Sequence, residues 1–163
     1  MGVNKYLPHI HVLPEDEANR QLANGFVLGL SGFANRIQIM PNAGGWRKVL
    51  YDFRNNYRDD MSRYQARNIV LMVDFDNDGD RLATILNDIP EYLFDRVFVL
   101  GVRSEPEELK AAGLGSLEEV GVRLAKECKE EATTTWNHDL LANNASELRR
   151  MAPILKPILF PAG

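Results

Sequence analysis

The sequence predicts one α/β domain in which a mostly parallel central sheet is flanked by helices. Apolar runs rich in β-branched residues, at 69–73 and 97–100, alternate with segments of helical periodicity. This alternation favours parallel strands joined by right-handed crossovers. No internal repeat, low-complexity tract or linker-like segment divides the chain. We therefore expect a single domain over 1–163, with a core at about 9–112 and a helical C-terminal extension at about 113–163.

The first half of the chain reads as three strands and two helices. The elements are a strand at 9–13, a helix at 15–30, a loop at 31–35, a strand at 36–40, a helix at 46–57, a polar connection at 58–68 and a strand ending at 73. Pro14 and Pro41 close the first two strands, because proline cannot continue a ladder. Acidic residues at 15–17 suit the first turn of a helix, where the helix dipole favours negative charge.

The second half predicts one further strand and several helices. The elements are a helix at 81–88, a strand at 96–101, helix starts at Ser104 and Ser116, a polar break at 133–137, a helix at 139–151 and a tail at 154–160 interrupted by Pro157. Ser104 is predicted as an N-cap because proline and glutamate follow it. Ser116, with Glu119 three residues later, predicts a capping box for a helix that reaches about Lys129.

Composition is typical of a globular protein and excludes some partners. Of 163 residues, 45% are hydrophobic and 26% are charged, and the formal net charge is −4. The chain as a whole therefore has no basic electrostatic field that would draw it to nucleic acid or membrane. Its scattered Arg and Lys residues still allow a local basic patch. The single Cys128 excludes an internal disulfide and fits a reducing compartment. Residues 1–11 lack the apolar segment of a signal peptide, so we expect a cytoplasmic protein with no membrane association.

Chemistry-bearing residues follow each predicted strand. In an open parallel sheet, ligands bind beyond the carboxyl ends of the strands. In chain order, the four strand ends are followed by acidic residues at 15–17, a glycine-containing turn at 42–45, the acidic cluster at 74–80, and Ser104 with Glu105 and Glu107. If the strands are parallel, these groups converge on one edge of the sheet.

The acidic cluster is the strongest indication of a metal site. Asp74, Asp76, Asp78 and Asp80 alternate directly after a buried strand, and their mutual repulsion needs compensation by water, a cation or basic groups. Oxygen-rich clusters of this kind suit hard divalent cations such as Mg²⁺. For Asp78 and Asp80, capping of the next helix is an equally valid interpretation.

The order of these motifs resembles the Toprim domain, the metal-binding fold of topoisomerases, primases and OLD-family nucleases. Glu15 follows the first strand, as the glutamate of that family does, and Asp74-Phe75-Asp76-Asn77-Asp78-Gly79 fits the extended Asp-x-Asp-x-Asp-Gly motif. Gly44-Gly45 with Lys48 resembles the glycine loop of OLD-like members, and Ser104–Glu107 could supply a further acidic element. The resemblance covers about 10–109.

The resemblance implies Mg²⁺- or Mn²⁺-dependent phosphodiester chemistry, and specifically cleavage of DNA or RNA. Asp74 and Asp76, with Asp78, would hold one cation, and Glu105 or Glu107 would help to hold a second. Glu15 would bind metal or act as general acid or base. Gly44 and Gly45 would bind phosphate, and Lys48 or Arg47 would contact the scissile phosphate. A separate ATPase or another protein is an expected partner, because this chain carries no ATPase module.

The chain also departs from the family, and other interpretations stay open. Asp16 stands where many Toprim domains have glycine. No other topoisomerase or primase module is recognised and no tyrosine can be assigned a nucleophilic role, which argues against topoisomerase or primase action by this chain alone. The chain could instead be a catalytically silent module that binds a partner protein or nucleic acid. A receiver-like or phosphatase-like aspartate phosphotransfer is a further alternative. Residues 15–17 and 105–107 could also be first-turn charges of helices, and 44–45 an ordinary turn.

Overall fold

The computed structural model describes residues 2–30 and 34–161. Within these ranges it contains one four-stranded sheet, and every strand pairs in parallel with its neighbours. The strands are β1 His9–Pro14, β2 Ile37–Ile39, β3 Arg67–Met72 and β4 Val97–Leu100, in the spatial order β2-β1-β3-β4. The predicted α/β class with a parallel sheet is confirmed.

Helices cover both faces of this sheet. They are α1 Glu17–Leu28, α2 Trp46–Asp52, α3 Asp60–Arg63, α4 Arg81–Asn87, α5 Glu107–Ala111, α6 Leu117–Glu130 and α7 Ala145–Leu159. A π-helix at Phe53–Tyr57 continues α2, and α3 lies inside the predicted polar connection. The predicted loop at 31–35 falls largely outside the described residues. In the described part of the chain, no helix has both the length and the apolar character needed to cross a membrane.

Alternation along the strands divides the core into two layers. Ile10, Val12 and Met72 face the layer that α1, α6 and α7 cover. Leu13 and Leu71 face the opposite layer, which α2, the π-helix, α3 and α4 cover. Because successive side chains of a strand point to opposite faces, a strand buried on both faces is apolar at consecutive positions.

The helices α1 and α6 pack unusually closely. A Cβ atom added to Gly121 would lie 2.2 Å from the carbonyl oxygen of Leu22, and one added to Gly25 would lie 2.1 Å from that of Glu118. Glycine at both positions therefore lets the two backbones approach to a distance that a side chain would prevent. The predicted capping box is confirmed, since Ser116 Oγ accepts from the Glu119 N–H and Glu119 reaches back to the Ser116 N–H.

Two helices predicted from the sequence have other bounds in the structure. Ser104 does not cap a helix: α5 begins at Glu107, and the Ser104 side chain is buried without a hydrogen-bond partner among the described residues. The helix predicted at 139–151 begins only at Ala145, and it continues into the predicted tail as one helix, α7, that runs through Pro153 and Pro157. Both prolines are exposed and four residues apart, so they lie on the solvent face while the buried stripe continues.

Side chains of the α7 region close the outer edge of the sheet. Glu147 Oε1 accepts the Val99 N–H at 2.8 Å, and Asn144 both accepts the Gly101 N–H and donates to the Gly101 carbonyl at 2.9 Å. Arg150 pairs with the buried Glu147 carboxylate at 2.9 Å. These side chains therefore provide part of the outer edge at β4 with hydrogen-bond partners, in place of a fifth strand.

Candidate functional site

Glu15 and Asp74 meet at the carboxyl edge of the sheet. Glu15 directly follows β1, and Asp74 lies two residues beyond β3, its neighbour in the sheet. The Asp74 N–H donates to Glu15 Oε2 at 2.5 Å, and the Glu15 N–H donates to the Met72 carbonyl at 2.9 Å. Both side chains are only 8% exposed. The structure therefore brings together two of the predicted site residues.

Asn19 completes this buried pair, and sequence reasoning missed it. Its Nδ2 donates to Asp74 Oδ1 at 2.8 Å and to Asp16 Oδ1 at 2.9 Å. Asp16 is the N-cap of α1 and also accepts the Asn19 N–H at 3.0 Å. Asn19 Oδ1 is buried and has no hydrogen-bond partner among the described residues. A polar residue three positions after an N-cap aspartate, one helical turn beyond Glu15, was the available signal.

Burial and neighbouring charges shift the pKa values of both buried carboxyl groups upward. Burial raises the pKa of Asp74 to about 7, the hydrogen bond from Asn19 opposes this, and the charges of Glu15, Asp16 and Asp76 add to it. Burial also raises the pKa of Glu15, while its hydrogen bond from Asp74 lowers it. Two carboxylates at this edge would repel each other in a poorly solvated place, so a proton or a cation stabilises the arrangement.

Arg81 compensates the charge of the third carboxylate, that of Asp76, and the sequence did not predict this ion pair. Its Nη1 contacts Asp76 Oδ2 at 2.6 Å and donates to the Asp74 carbonyl at 2.8 Å. Asp76 is exposed and, with Asn77, adopts a positive φ of 48° and 58°. The Arg81 guanidinium also lies 4.7 Å from the centre of the Trp46 ring. In this structure, a side-chain cation therefore neutralises Asp76.

The glycine turn after β2 lies beside Glu15. The Gly44 N–H donates to the Glu15 carbonyl at 2.8 Å, and the Ala43 N–H donates to that of Pro14 at 3.1 Å. Gly44 has a φ of +97°, which favours glycine, and a Cβ atom added there would lie 3.7 Å from Lys48 Nζ. The turn thus places the Lys48 ammonium near the edge that Glu15 occupies.

A basic and aromatic surface adjoins the glycine turn. The guanidinium of Arg47 lies 5.1 Å from the centre of the Trp46 ring, and that of Arg81 contacts the same ring. Gly45 has open space where a side chain would stand. This surface carries positive charge next to the acidic edge, although the whole chain is acidic.

The remaining predicted residues do not join the buried pair. Asp78 Oδ1 accepts the Asp80 N–H at 3.0 Å, which is a turn interaction, and Asp80 stands before α4 without a capping bond. Glu105 and Glu107 are exposed, and their charges are not among those that shift the pKa of Glu15 or Asp74. Over residues 2–30 and 34–161, no group of three His, Cys, Asp or Glu side chains stands ready as a metal-ligand set.

The donors that do converge nevertheless suit a hard divalent cation. Glu15 and Asp74 supply carboxylate oxygens, and Asn19 supplies a buried amide oxygen that is unpartnered in the described chain. Oxygen atoms of these types are the preferred ligands of Mg²⁺ and Mn²⁺. Recruitment of Asp76 as a ligand would require its ion pair with Arg81 to open.

Comparison with known proteins does not assign this site. No protein-family model matches the chain, and no curated protein and no solved structure matches it. The chemistry of the site therefore has to be inferred from the residues described above.

Proposed function

We propose that this chain is a Toprim-like nuclease that cleaves nucleic acid by Mg²⁺- or Mn²⁺-dependent phosphodiester hydrolysis. The observation that carries the proposal is the hydrogen bond between Glu15 and Asp74, which joins the carboxyl ends of two adjacent parallel strands. A glutamate after the first strand, a glycine turn after the second and Asp-x-Asp after the third is the order of motifs that the resemblance requires. Their meeting at one sheet edge supports it.

The cation would be held by Asp74, Asp76 and Glu15. When bound, such a cation polarises a phosphate and lowers the pKa of a bound water. Asn19 fixes the orientation of Asp74 through its 2.8 Å hydrogen bond. Glu15 serves either as a ligand or as the group that accepts a proton from the attacking water.

The phosphate would be held by the basic residues that adjoin the glycine turn at this edge of the sheet. The Lys48 ammonium lies close to Gly44, and the Gly44 N–H donates to the Glu15 carbonyl. A phosphate near the carboxylates would therefore lie within reach of Lys48. Arg47 and the Trp46 ring extend this surface, and they offer charge and stacking to a nucleic-acid strand. These groups give an acidic protein a local site for a polyanion.

Cleavage assays with matched variants test the proposal. Labelled single-stranded DNA, duplex DNA and RNA are incubated with the purified protein and Mn²⁺ or Mg²⁺, and cation binding is measured by calorimetry. We expect cleavage and cation binding by the wild type, and loss of both in the Asp74→Ala, Asp76→Ala double variant. Asp59→Ala, at an aspartate that is 96% exposed, is the control and should retain both. A wild type that neither binds the cations nor cleaves would overturn the proposal.

A silent binding module is the second candidate, and one observation favours it. Arg81 already neutralises Asp76 at 2.6 Å, so this carboxylate is satisfied without a cation. Such a module would bind nucleic acid or a protein through the surface around Trp46 and Lys48 without cleaving it. Salt-dependent binding of DNA or RNA by a protein that shows no cation binding is the result expected for this candidate.

A further inference from the structure

A cavity of about 270 Å³ lies between the sheet and the helices α1, α6 and α7. We call it the α7 cavity. Its wall is almost wholly apolar and includes Leu22 and Phe26 of α1, Met72 of β3, Leu124 of α6 and Met151 of α7. None of Glu15, Asp74 and Asp76 lines it. The cavity is therefore distinct from the site proposed for phosphodiester chemistry.

Its size and lining are those of a ligand site. Protein interiors are close-packed, and voids larger than a water molecule are few. Apolar cavities of this kind offer water few polar partners, so they favour the uptake of apolar molecules. Natural ligand pockets combine a predominantly apolar wall with a small number of polar groups that fix the orientation of the ligand.

The polar groups stand at one end of the cavity. Glu131, Ala152, Lys156 and Phe160 line both the α7 cavity and an adjoining surface groove, which also includes Arg149. Glu127 lines the cavity as well, but its Oε1 already accepts the N–H groups of Thr135 at 2.8 Å and Trp136 at 3.2 Å. The positive charges at this opening are therefore those of Lys156 and Arg149, and the exposed negative charge beside them is that of Glu131.

Lys156 can exchange its present partner for a ligand. Its Nζ contacts Glu131 Oε1 at 3.2 Å, and the Glu131 side chain is 81% exposed. Ion pairs of such exposed groups contribute little free energy. A carboxylate on a molecule held in the cavity could take the place of Glu131, because burial of its chain would hold it beside the ammonium.

We propose that the α7 cavity binds a medium-chain carboxylate, such as a fatty acid. The apolar chain lies in the cavity between the sheet and α7, and the carboxylate lies beside Lys156 at the opening. This proposal does not depend on the proposed nuclease function, and each can fail without the other.

Methionine methyl groups give a direct test with decanoate as the probe. Met72 and Met151 line the cavity, whereas Met61 is fully buried in the opposite layer of the core. In protein labelled with ¹³C at the methionine methyl groups, we expect decanoate to shift the resonances of Met72 and Met151 and to leave that of Met61 in place. No shift at Met72 and Met151, or an equal shift at all three, would overturn the proposal.

Cavity-filling variants test the location of the chain. Ala152→Leu enters the cavity from α7 and Cys128→Leu enters it from α6. Each should weaken decanoate binding at least about tenfold, because the larger side chain occupies the volume that the ligand needs. Ala145→Leu, at an exposed position of α7, is the matched control and should bind as the wild type does. Unchanged binding in a folded filling variant would contradict the proposal, and the methionine pattern of the wild type decides if neither variant folds.

The head group is tested at Lys156. Lys156→Met keeps the apolar stem and removes the charge, so it should weaken binding of decanoate about tenfold, the loss expected for a charge-assisted hydrogen bond, and leave binding of decanol unchanged. Equal effects on the two ligands would overturn the assignment of the carboxylate to Lys156.

Discussion

Asn19 holds the carboxylate of Asp74 at 2.8 Å across a sequence separation of 55 residues. The same amide group donates to Asp16, the N-cap of α1. One buried side chain therefore connects the start of the first helix to the acidic loop after β3. The geometry of the carboxyl edge depends on this connection as much as on the carboxylates themselves.

Replacement of Asn19 by alanine should destabilise the protein. The change leaves the buried Asp74 carboxylate without its donor, and we expect the free energy of unfolding to fall by about 1–3 kcal/mol. Urea denaturation at pH 7 in the presence of EDTA measures this. Asn24→Ala, at an exposed position of the same helix, is the control and should change stability by less than about 0.5 kcal/mol. Equal effects of the two changes would show that the hydrogen bond contributes nothing.

Removal of the Arg81 charge separates the two candidate functions. If Asp76 is a metal ligand, Arg81→Met frees it from a competing cation, and the affinity for Mn²⁺ should rise by about 5- to 30-fold, a change of about 1–2 kcal/mol. Calorimetric titration measures the affinity. Arg47→Met removes the other guanidinium that stacks on Trp46 but forms no ion pair with Asp76, so it should leave the affinity unchanged. A lower affinity in Arg81→Met would contradict a role of Asp76 in cation binding.

His11 should make the stability of the protein sensitive to acid. It is buried on β1, it packs edge-on against Tyr57, and neither ring nitrogen has a partner among the described residues. Burial, followed by the positive charges of Arg67, His9 and Lys5, lowers its pKa from 6.5 to about 3. In this pH range His11 binds a proton in the unfolded chain but stays neutral in the folded chain. The free energy of unfolding therefore decreases as the pH falls from about 6.5 toward 3.

His11→Phe tests this linkage because phenylalanine keeps the aromatic packing and cannot be protonated. The free energy of unfolding should fall less steeply with acid in the variant, by up to about 1.4 kcal/mol per pH unit between pH 6 and 4, the contribution of one proton. Denaturation curves at a series of pH values give the two slopes. Parallel slopes would show that His11 titrates alike in the folded and unfolded chain.

The close contact of α1 with α6 should not tolerate a methyl group. Gly121→Ala would improve the intrinsic helix propensity by about 1 kcal/mol. The added Cβ, however, would lie 2.2 Å from the Leu22 carbonyl oxygen, so the two backbones must separate. We expect a net destabilisation of about 2 kcal/mol or more in urea denaturation. Ser146→Ala, at an exposed position of α7, is the control for a small helix substitution, and an unchanged Gly121→Ala protein would refute the close packing.

The sequence predicted the features whose causes are local. The strands at 9–13 and 69–73 are apolar and β-branched, and proline or acidic residues end them, so their positions and the residues at their carboxyl ends followed directly. The capping box at Ser116 also depends on neighbours three residues apart. The pairing of Glu15 with Asp74 was expected because both follow parallel strands, and the structure makes those strands adjacent.

Features with distant causes were missed. The contact of Asn19 with Asp74 depends on the adjacency of β1 and β3, so the position of Asn19 behind the N-cap aspartate marks the residue but not its distant partner. The contact of Arg81 with Asp76 depends on the conformation of the acidic loop between them. The predicted helix ended at 151, before Pro153, because a proline inside a helix removes one backbone hydrogen bond and so destabilises that helix. Burial of Met151, Leu155 and Leu159 against the core offsets that cost, since the prolines themselves face solvent.

The closure of β4 by Asn144 and Glu147 makes residues 113–161 part of the folding unit. A fragment that ended near residue 112 would lose α6 and α7, uncover one apolar face of the sheet and leave β4 with open hydrogen-bonding groups along its edge. Such an edge is a template on which other chains add strands. Truncation or proteolysis before α7 would therefore leave a product prone to aggregate through β4.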